Sequence, residues 1–233
     1  MAEAISKVLY PADNHIEGKS LRLKQQYFFV SASMQTVVRR HLRHNNSLDS
    51  LPDKVAIHIN DTHPALCIPE LMRLLMDEHG YGWDDAWRIV TQTVSYTNHT
   101  VMQEALERWP QDLFEMLLPR ITQIIKEINK RYCEELWQVY PGDWDRIARN
   151  AIVSHGEIRM ANLCLAASHT VNGVSALHSD ILKNLIFADY YKAAPQKFTN
   201  VTNGITHRRW TAEANPLLTN YLKEIIGDGF LRD

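Results

Sequence analysis

Apolar positions along this chain follow two spacings. From about 18 to 42, Tyr27, Val30, Met34, Val37 and Val38 recur at three- and four-residue steps, which predicts one long helix with a core-facing stripe. Leu66, Leu71, Leu74 and Leu75 resume helical spacing after His63-Pro64, and Gly80 ends it. Another helix opens at Trp83, with Asp84 and Asp85 placed for the positive end of its dipole. Ile121, Ile124, Ile125, Ile128 and Tyr132 share one face of a helix over about 121–139, which Pro141-Gly142-Asp143 breaks. Further helices are predicted near 160–167 and over 175–187. Between them lie short β-branched runs: KVAIHIN at 54–60, TVSY at 93–96, a weak run at 151–153, TVNGV at 170–174, and a strand end at 200–201.

Strands alternating with helices predict an α/β fold of the doubly wound class, a parallel sheet with covering helices. Ligands of such sheets bind beyond the carboxyl ends of the strands. Polar clusters of this chain fall there: Asn60-Asp61-Thr62-His63, then Thr97-Asn98-His99, then Asn203. No repeat or low-complexity segment interrupts the pattern.

Composition narrows the partners. The 233 residues carry 25 Lys+Arg against 27 Asp+Glu, a net charge of −2, which argues against nucleic acid or an anionic membrane as the main partner. No apolar run approaches the roughly 18 residues of a membrane span. The start, Met1-Ala2-Glu3-Ala4, has neither a basic nor an apolar signal, so no leader is expected. Cys67, Cys133 and Cys164 lie far apart without metal spacing, which reads as reduced thiols in a cytoplasmic protein.

Candidate chemistry is densest at 201–210 (VTNGITHRRW). Arg208 and Arg209 offer planar forks for phosphate or carboxylate, and Trp210 a flat face for a ring or a sugar. The competing reading is an exposed loop followed by a basic helix start. His58, Asp61, His63 and His99 suggest a metal site, but His58 and His63 are five apart with Pro64 next, unlike a helical i,i+4 pair. A hydrogen-bonded network fits better, with Asp61 fixing the tautomer of an imidazole such as His99. The plainer alternative has Asp61 capping the helix behind it and His99 as an ordinary loop residue. Asp13 and Asn14 either contact a substrate or form an Asx turn. Neither a glycine-rich phosphate loop nor a G-x-S-x-G is present.

Seven segments closely resemble the glycogen/starch/maltodextrin phosphorylases, in family order. They are LYPADN (9–14), EGKSLRLKQQY (17–27), NDTHP (60–64), YTNHT (96–100), EALERW (104–109), NGV with LHS (172–174, 177–179) and TNGI with RRW (202–205, 208–210). The resemblance implies a two-domain GT-B fold with its active site between the domains. Residues 1–201 would be the latter part of the N-terminal domain, and 202–233 the crossover and first helix of the second. It implies phosphorolysis of terminal α-1,4-linked glucose to glucose 1-phosphate with retention, on glycogen, starch or maltodextrin, in a cytoplasmic homodimer. The implied cofactor is pyridoxal phosphate, whose phosphate works as acid–base partner of the substrate phosphate.

By the same resemblance, Asp13 and Asn14 match a mobile gate loop, with Asn14 on the glucosyl ring and Asp13 swinging away when phosphate enters. His99 matches the residue that bonds the glucose 6-hydroxyl and faces the reacting bond. Asp61 matches its supporting carboxylate, Asn203 the second 6-hydroxyl ligand, and Trp210 an aromatic residue near the cofactor. Ala12, Gln103 and His207 depart from the animal pattern, where asparagine, proline and proline are usual. The family's cofactor lysine segment and its phosphate-holding arginine and lysines are not in this sequence. The isolated chain is therefore expected to carry no covalent pyridoxal phosphate and to be inactive; a parallel sheet cut short, with an open edge and an uncovered apolar face, is expected to self-associate, swap elements or be only marginally stable. The other readings are a non-catalytic glucan-binding module or relic, and a metal-dependent hydrolase.

Overall fold

The computed structural model describes residues 3–232. Contacts divide the chain into two units, 1–201 and 202–233. The first is a mixed α/β structure, the expected class. Among the described residues its strands are β1 (Ile57–Asn60), β2 (Val94–Thr97), β3 (Arg108–Pro110), β4 (Val153–Ser154), β5 (Glu157–Arg159), β6 (Val171–Gly173) and β7 (Phe198–Asn200).

Four strands form an all-parallel sheet in the order β1-β2-β6-β7. The register aligns the carboxyl ends, with Asn60 beside Thr97, Thr97 beside Asn172, and Gly173 beside Asn200. Ile59, Val94, Tyr96 and Val171 are buried, as strands covered by helices require. Gly173 has a steric reason: a Cβ there would lie 2.2 Å from Ser179 Oγ and 3.0 Å from Ser179 Cα.

Helix Ile16–Leu42 packs on helix Cys67–Arg73, which is buried over its first six residues and also packs on helix Pro119–Val139. Pro119 suits the first turn of that last helix, and Ile121, Ile124, Ile125 and Ile128 form its buried stripe. Helix Met160–Ala167, apolar nearly throughout, lies against β2 with seven of its residues buried. The half-buried Lys197 donates to the carbonyls of Leu165 and Ala166 at 3.2 and 3.1 Å, at the negative end of that helix. A buried carboxylate ties the first two helices. Glu70 accepts from Tyr27 Oη at 2.9 Å, Ser31 Oγ at 2.7 Å, and two guanidinium nitrogens of Arg73, each at 2.9 Å.

Three expectations need correction. The run at 54–60 is strand only over Ile57–Asn60, because Leu51–Lys54 coils into a short helix closed by the Val55 amide on the Leu51 carbonyl. The weak strand at 151–153 shifts to Val153–Ser154 and belongs to a separate antiparallel sheet, β3-β5-β4. The helices predicted up to Gly80 and over 175–187 each end in a wider π turn, Leu74–Glu78 and Leu182–Ile186.

In the second unit, residues 202–206 have no regular structure. Helices His207–Ala214 and Pro216–Ile226 pack together, and Thr219 Oγ1 donates to the carbonyls of Thr211 and Asn215, each at 3.0 Å.

Candidate functional site

The carboxyl edge of the parallel sheet carries the polar residues that the sequence singles out. Beyond β2, the buried Asn98 fixes the loop. Its amide nitrogen donates to Tyr96 Oη at 3.1 Å, and its side-chain oxygen accepts from the Thr100 amide at 2.9 Å and faces His178 Nε2 at 3.2 Å. His178 Nδ1 accepts from the Val174 amide at 3.1 Å, so its Nε2 carries the proton in the neutral ring. Burial lowers the His178 pKa, which favours that neutral form. Three polar contacts on Asn98 hold the backbone next to His99, whose own ring is exposed at the edge.

His99 Nε2 lies 2.5 Å from Asn60 Oδ1, the last residue of β1. With an amide oxygen facing it, Nε2 is the donor and Nδ1 is left as a lone-pair acceptor. The expected partner was Asp61. Asp61 instead turns through the left-handed region at φ 62°, which Asp tolerates better than most residues. Its amide donates to the Thr97 carbonyl at 3.0 Å, and its Oδ1 accepts from the Thr62 amide at 2.6 Å. Asp61 thus organises the turn after β1 while its neighbour orients the imidazole.

The four candidate metal ligands are dispersed. His58 meets Thr97 Oγ1 at 2.5 Å and Ser95 Oγ at 2.9 Å on the adjacent strand, and His99 meets Asn60. Among the described residues, no three His, Cys, Asp or Glu side chains form a group able to hold a metal ion.

A cavity of about 660 Å³ opens beside this edge, within the first unit. Asp13, Arg22, Asp61, His63, Glu104 and Glu107 contribute to its lining, whereas Asn14 and His99 do not. Arg22 and Glu107 stand within the segments 17–27 and 104–109, but neither was singled out as a site residue. The Glu107 carboxylate accepts from Gln26 Nε2 at 2.8 Å and from Thr62 Oγ1 at 3.0 Å, and Arg22 Nε lies 3.9 Å away. Burial pushes its pKa up by more than Gln26, Thr62 and Arg22 pull it down. One signal was available: Gln26 follows Arg22 by four residues on a helix, a spacing that puts both on one face.

Asp13 and Asn14 lie exposed just before helix Ile16–Leu42, whose N-terminus His15 caps by accepting the Gly18 amide at 3.0 Å. Asn203 and Trp210 belong to the second unit and are exposed. Arg208, Arg209 and Trp210 occupy the first turn of helix His207–Ala214, and the Trp210 amide donates to the Thr206 carbonyl at 3.0 Å.

Among the described residues, no helix is long and apolar enough to cross a membrane. A sequence model described as carbohydrate phosphorylase matches residues 1–233. The glycogen phosphorylase of Bacillus subtilis (strain 168) is 53% identical over 230 residues, covering 99% of this chain and 29% of that protein. The muscle form of glycogen phosphorylase from Homo sapiens is 51% identical over 244 residues, covering 100% of this chain and 29% of that protein. The chain spans about 29% of the length of these curated relatives. With a match along its whole length, the chain belongs to the carbohydrate phosphorylase family.

Proposed function

We propose that this chain supplies the sugar-facing part of an α-1,4-glucan phosphorylase, with residues 1–201 from the first domain of that enzyme and 202–233 opening the second. The reaction is phosphorolysis of a terminal α-1,4-linked glucose to glucose 1-phosphate, and the partners are the glucan, phosphate and a second copy of the full chain. The observation that carries this reading is the placement of His99. It stands exposed beyond the carboxyl end of β2, its loop pinned by Asn98 and its ring tethered by Asn60.

With Nε2 committed to Asn60, His99 Nδ1 can accept a hydrogen bond from the glucose 6-hydroxyl. Asn203 supplies the second contact to that hydroxyl, and Asn14 binds the ring. Asp13 leaves the cavity as phosphate arrives, and Asp61 shapes the turn next to it. These groups bind and orient; a preorganised imidazole loses no rotamer freedom when the sugar arrives.

Pyridoxal phosphate would supply a phosphate as proton donor and acceptor. Residues of this chain fit only its periphery. Trp210 presents a ring face, while the desolvated Lys197 amine is held by two helix carbonyls and is unsuited to attachment. The lysine that carries the cofactor is assigned to the part of the family chain outside these 233 residues.

A chimera tests the reading. Residues 1–233 would replace the matching segment of the Bacillus subtilis relative, and release of glucose 1-phosphate from maltoheptaose and phosphate would be assayed. Activity is expected, with kcat/KM falling at least about tenfold, or ~1.4 kcal/mol, in His99→Ala and in Asn203→Ala. A folded chimera that releases no glucose 1-phosphate, or is indifferent to both substitutions, overturns the reading.

A further inference from the structure

We propose that Arg22 anchors the segment around Tyr10 and Asp13, and that Glu107 sets how tightly it does so by sharing the guanidinium with Asp13. This rests on the gate role proposed above for Asp13 and Asn14. Arg22 Nε stands between two carboxylates, 3.8 Å from Asp13 Oδ2 and 3.9 Å from Glu107 Oε1. Its guanidinium also covers the Tyr10 ring at 5.5 Å. Among the described residues, Arg22 is the side-chain partner of both Tyr10 and Asp13.

The segment needs an anchor because it is strained. Tyr10 has φ 52°, a left-handed conformation that a bulky side chain holds only when its surroundings impose it. The backbone is tied down before and after this residue. Gln25 Nε2 donates to the carbonyls of Ile5 and Val8, and a Cβ on Gly18 would sit 1.7 Å from the Ala12 carbonyl oxygen, so the loop crosses the helix closely. Between these ties, Arg22 does the holding.

The two carboxylates are unequal. Asp13 is 60% exposed, whereas Glu107 is only 14% exposed and its oxygens are fixed by Gln26 and Thr62. Glu107 therefore stays while Asp13 can leave. When Asp13 swings out, Arg22, itself only 16% exposed, keeps a carboxylate beside it, so release strands no buried charge. Glu107 acts as a positioning residue: it draws Arg22 away from Asp13 and makes the segment releasable.

The sign of the effect separates this from a merely structural role. Neutralising Glu107 leaves Asp13 as the nearest anion to Arg22, which tightens the segment. Neutralising Arg22 loosens it. Limited proteolysis by proteinase K, with the cuts within 9–14 located by mass spectrometry, reads both on the 233-residue chain without glucan or cofactor. Glu107→Gln is expected to slow those cuts about threefold and Arg22→Met to speed them about fivefold, with the double variant behaving as Arg22→Met and the rate of cuts elsewhere in the chain unchanged. Asp13→Asn, at an exposed position that puts folding at no risk, is expected to speed them by less than Arg22→Met does, because Arg22 keeps the Tyr10 ring. Faster cutting at 9–14 in Glu107→Gln, unchanged cutting in Asp13→Asn, or additive effects in the double variant overturn the proposal. Because no turnover is measured, failure of the phosphorolysis reading leaves this result unaffected, and the reverse holds for the chimera.

Discussion

His99 Nε2 meets Asn60 Oδ1 at 2.5 Å, joining the loop beyond β2 to the end of the neighbouring parallel strand β1. Asn60→Ala should leave the fold intact, since the residue is exposed at the strand end. It should free the His99 ring to exchange tautomers. Imidazole 15N shifts check this directly: the neutral form of the native ring should report protonated Nε2 and unprotonated Nδ1, and the variant a mixture. In the chimera, kcat/KM should fall by about tenfold, the scale of a misoriented binding group. An Asn60→Ala ring still locked as the Nε2-H tautomer would show that another group orients it.

Asn98 is the deeper support. It is fully buried and exchanges hydrogen bonds with Tyr96, Thr100 and His178. Asn98→Ala removes donor and acceptor together and deprives the buried Tyr96 hydroxyl and the half-buried Thr100 and His178 of their partner. A loss of about 2–3 kcal/mol is expected in urea unfolding. The His178 and His99 resonances should broaden in the same variant, because their loop loses its pin.

The sheet, the long helices and the polar edge were legible from spacing, since a stripe such as Ile121, Ile124, Ile125 and Ile128 has a single helical solution. The antiparallel sheet was not. Its strands have two or three residues, too few to show a period, and Trp109 is buried against partners far along the chain. The partner of His99 was missed by one position. Spacing alone favours the carboxylate of Asp61, but a φ of 62° folds that carboxylate onto the Thr62 amide and leaves Asn60 facing the ring. Glu107 and Arg22 meet across 85 residues, and the shared helix face of Arg22 and Gln26 shows only one side of that contact.

Acid stability should depend on Glu70. Burial pushes its carboxyl up, but the bonds from Arg73, Ser31 and Tyr27 together bring it below the usual carboxylate value. A carboxyl lowered on folding contributes stability that is present above the unfolded value, about 4.3, and is lost as the pH falls through the folded value. Glu70→Gln should cost about 2 kcal/mol at neutral pH, because Tyr27, Ser31 and Arg73 lose a charged acceptor while Arg73 keeps Glu78 at 2.9 Å. The same variant should flatten the acid limb of stability measured by urea unfolding. An acid limb of unchanged steepness would place the sensitivity in other carboxylates.

His178 should act in a separate pH window. Its folded pKa is lowered, chiefly by burial, so the ring is neutral in the native state while the unfolded ring titrates near 6.5. The sign follows: stability is complete above about 6.5 and declines as the pH falls through the folded value, because the unfolded chain takes up the proton first. Protonation also converts Nδ1 from acceptor to donor, which breaks its bond from the Val174 amide. His178→Gln should remove this dependence, which sets in as the pH falls below about 6.5, without altering the steeper fall at more acid pH.

Helix Pro216–Ile226 presents Leu217, Tyr221 and Ile225 at four-residue spacing, exposed by 83%, 59% and 60%. Ile226 beside them is 61% exposed. Four large apolar side chains on one short helix form a contiguous patch, and such patches associate. Sedimentation velocity on the 233-residue chain should therefore show mass rising with concentration. Leu217→Glu with Ile225→Glu should restore a monomer at little cost, because neither residue is buried. The helix itself should persist in that variant, since Asn215 caps it by accepting the Leu218 amide at 3.1 Å and Pro216 suits its first turn. A wild-type chain that stays monomeric as its concentration rises would show that this face is not what draws copies together.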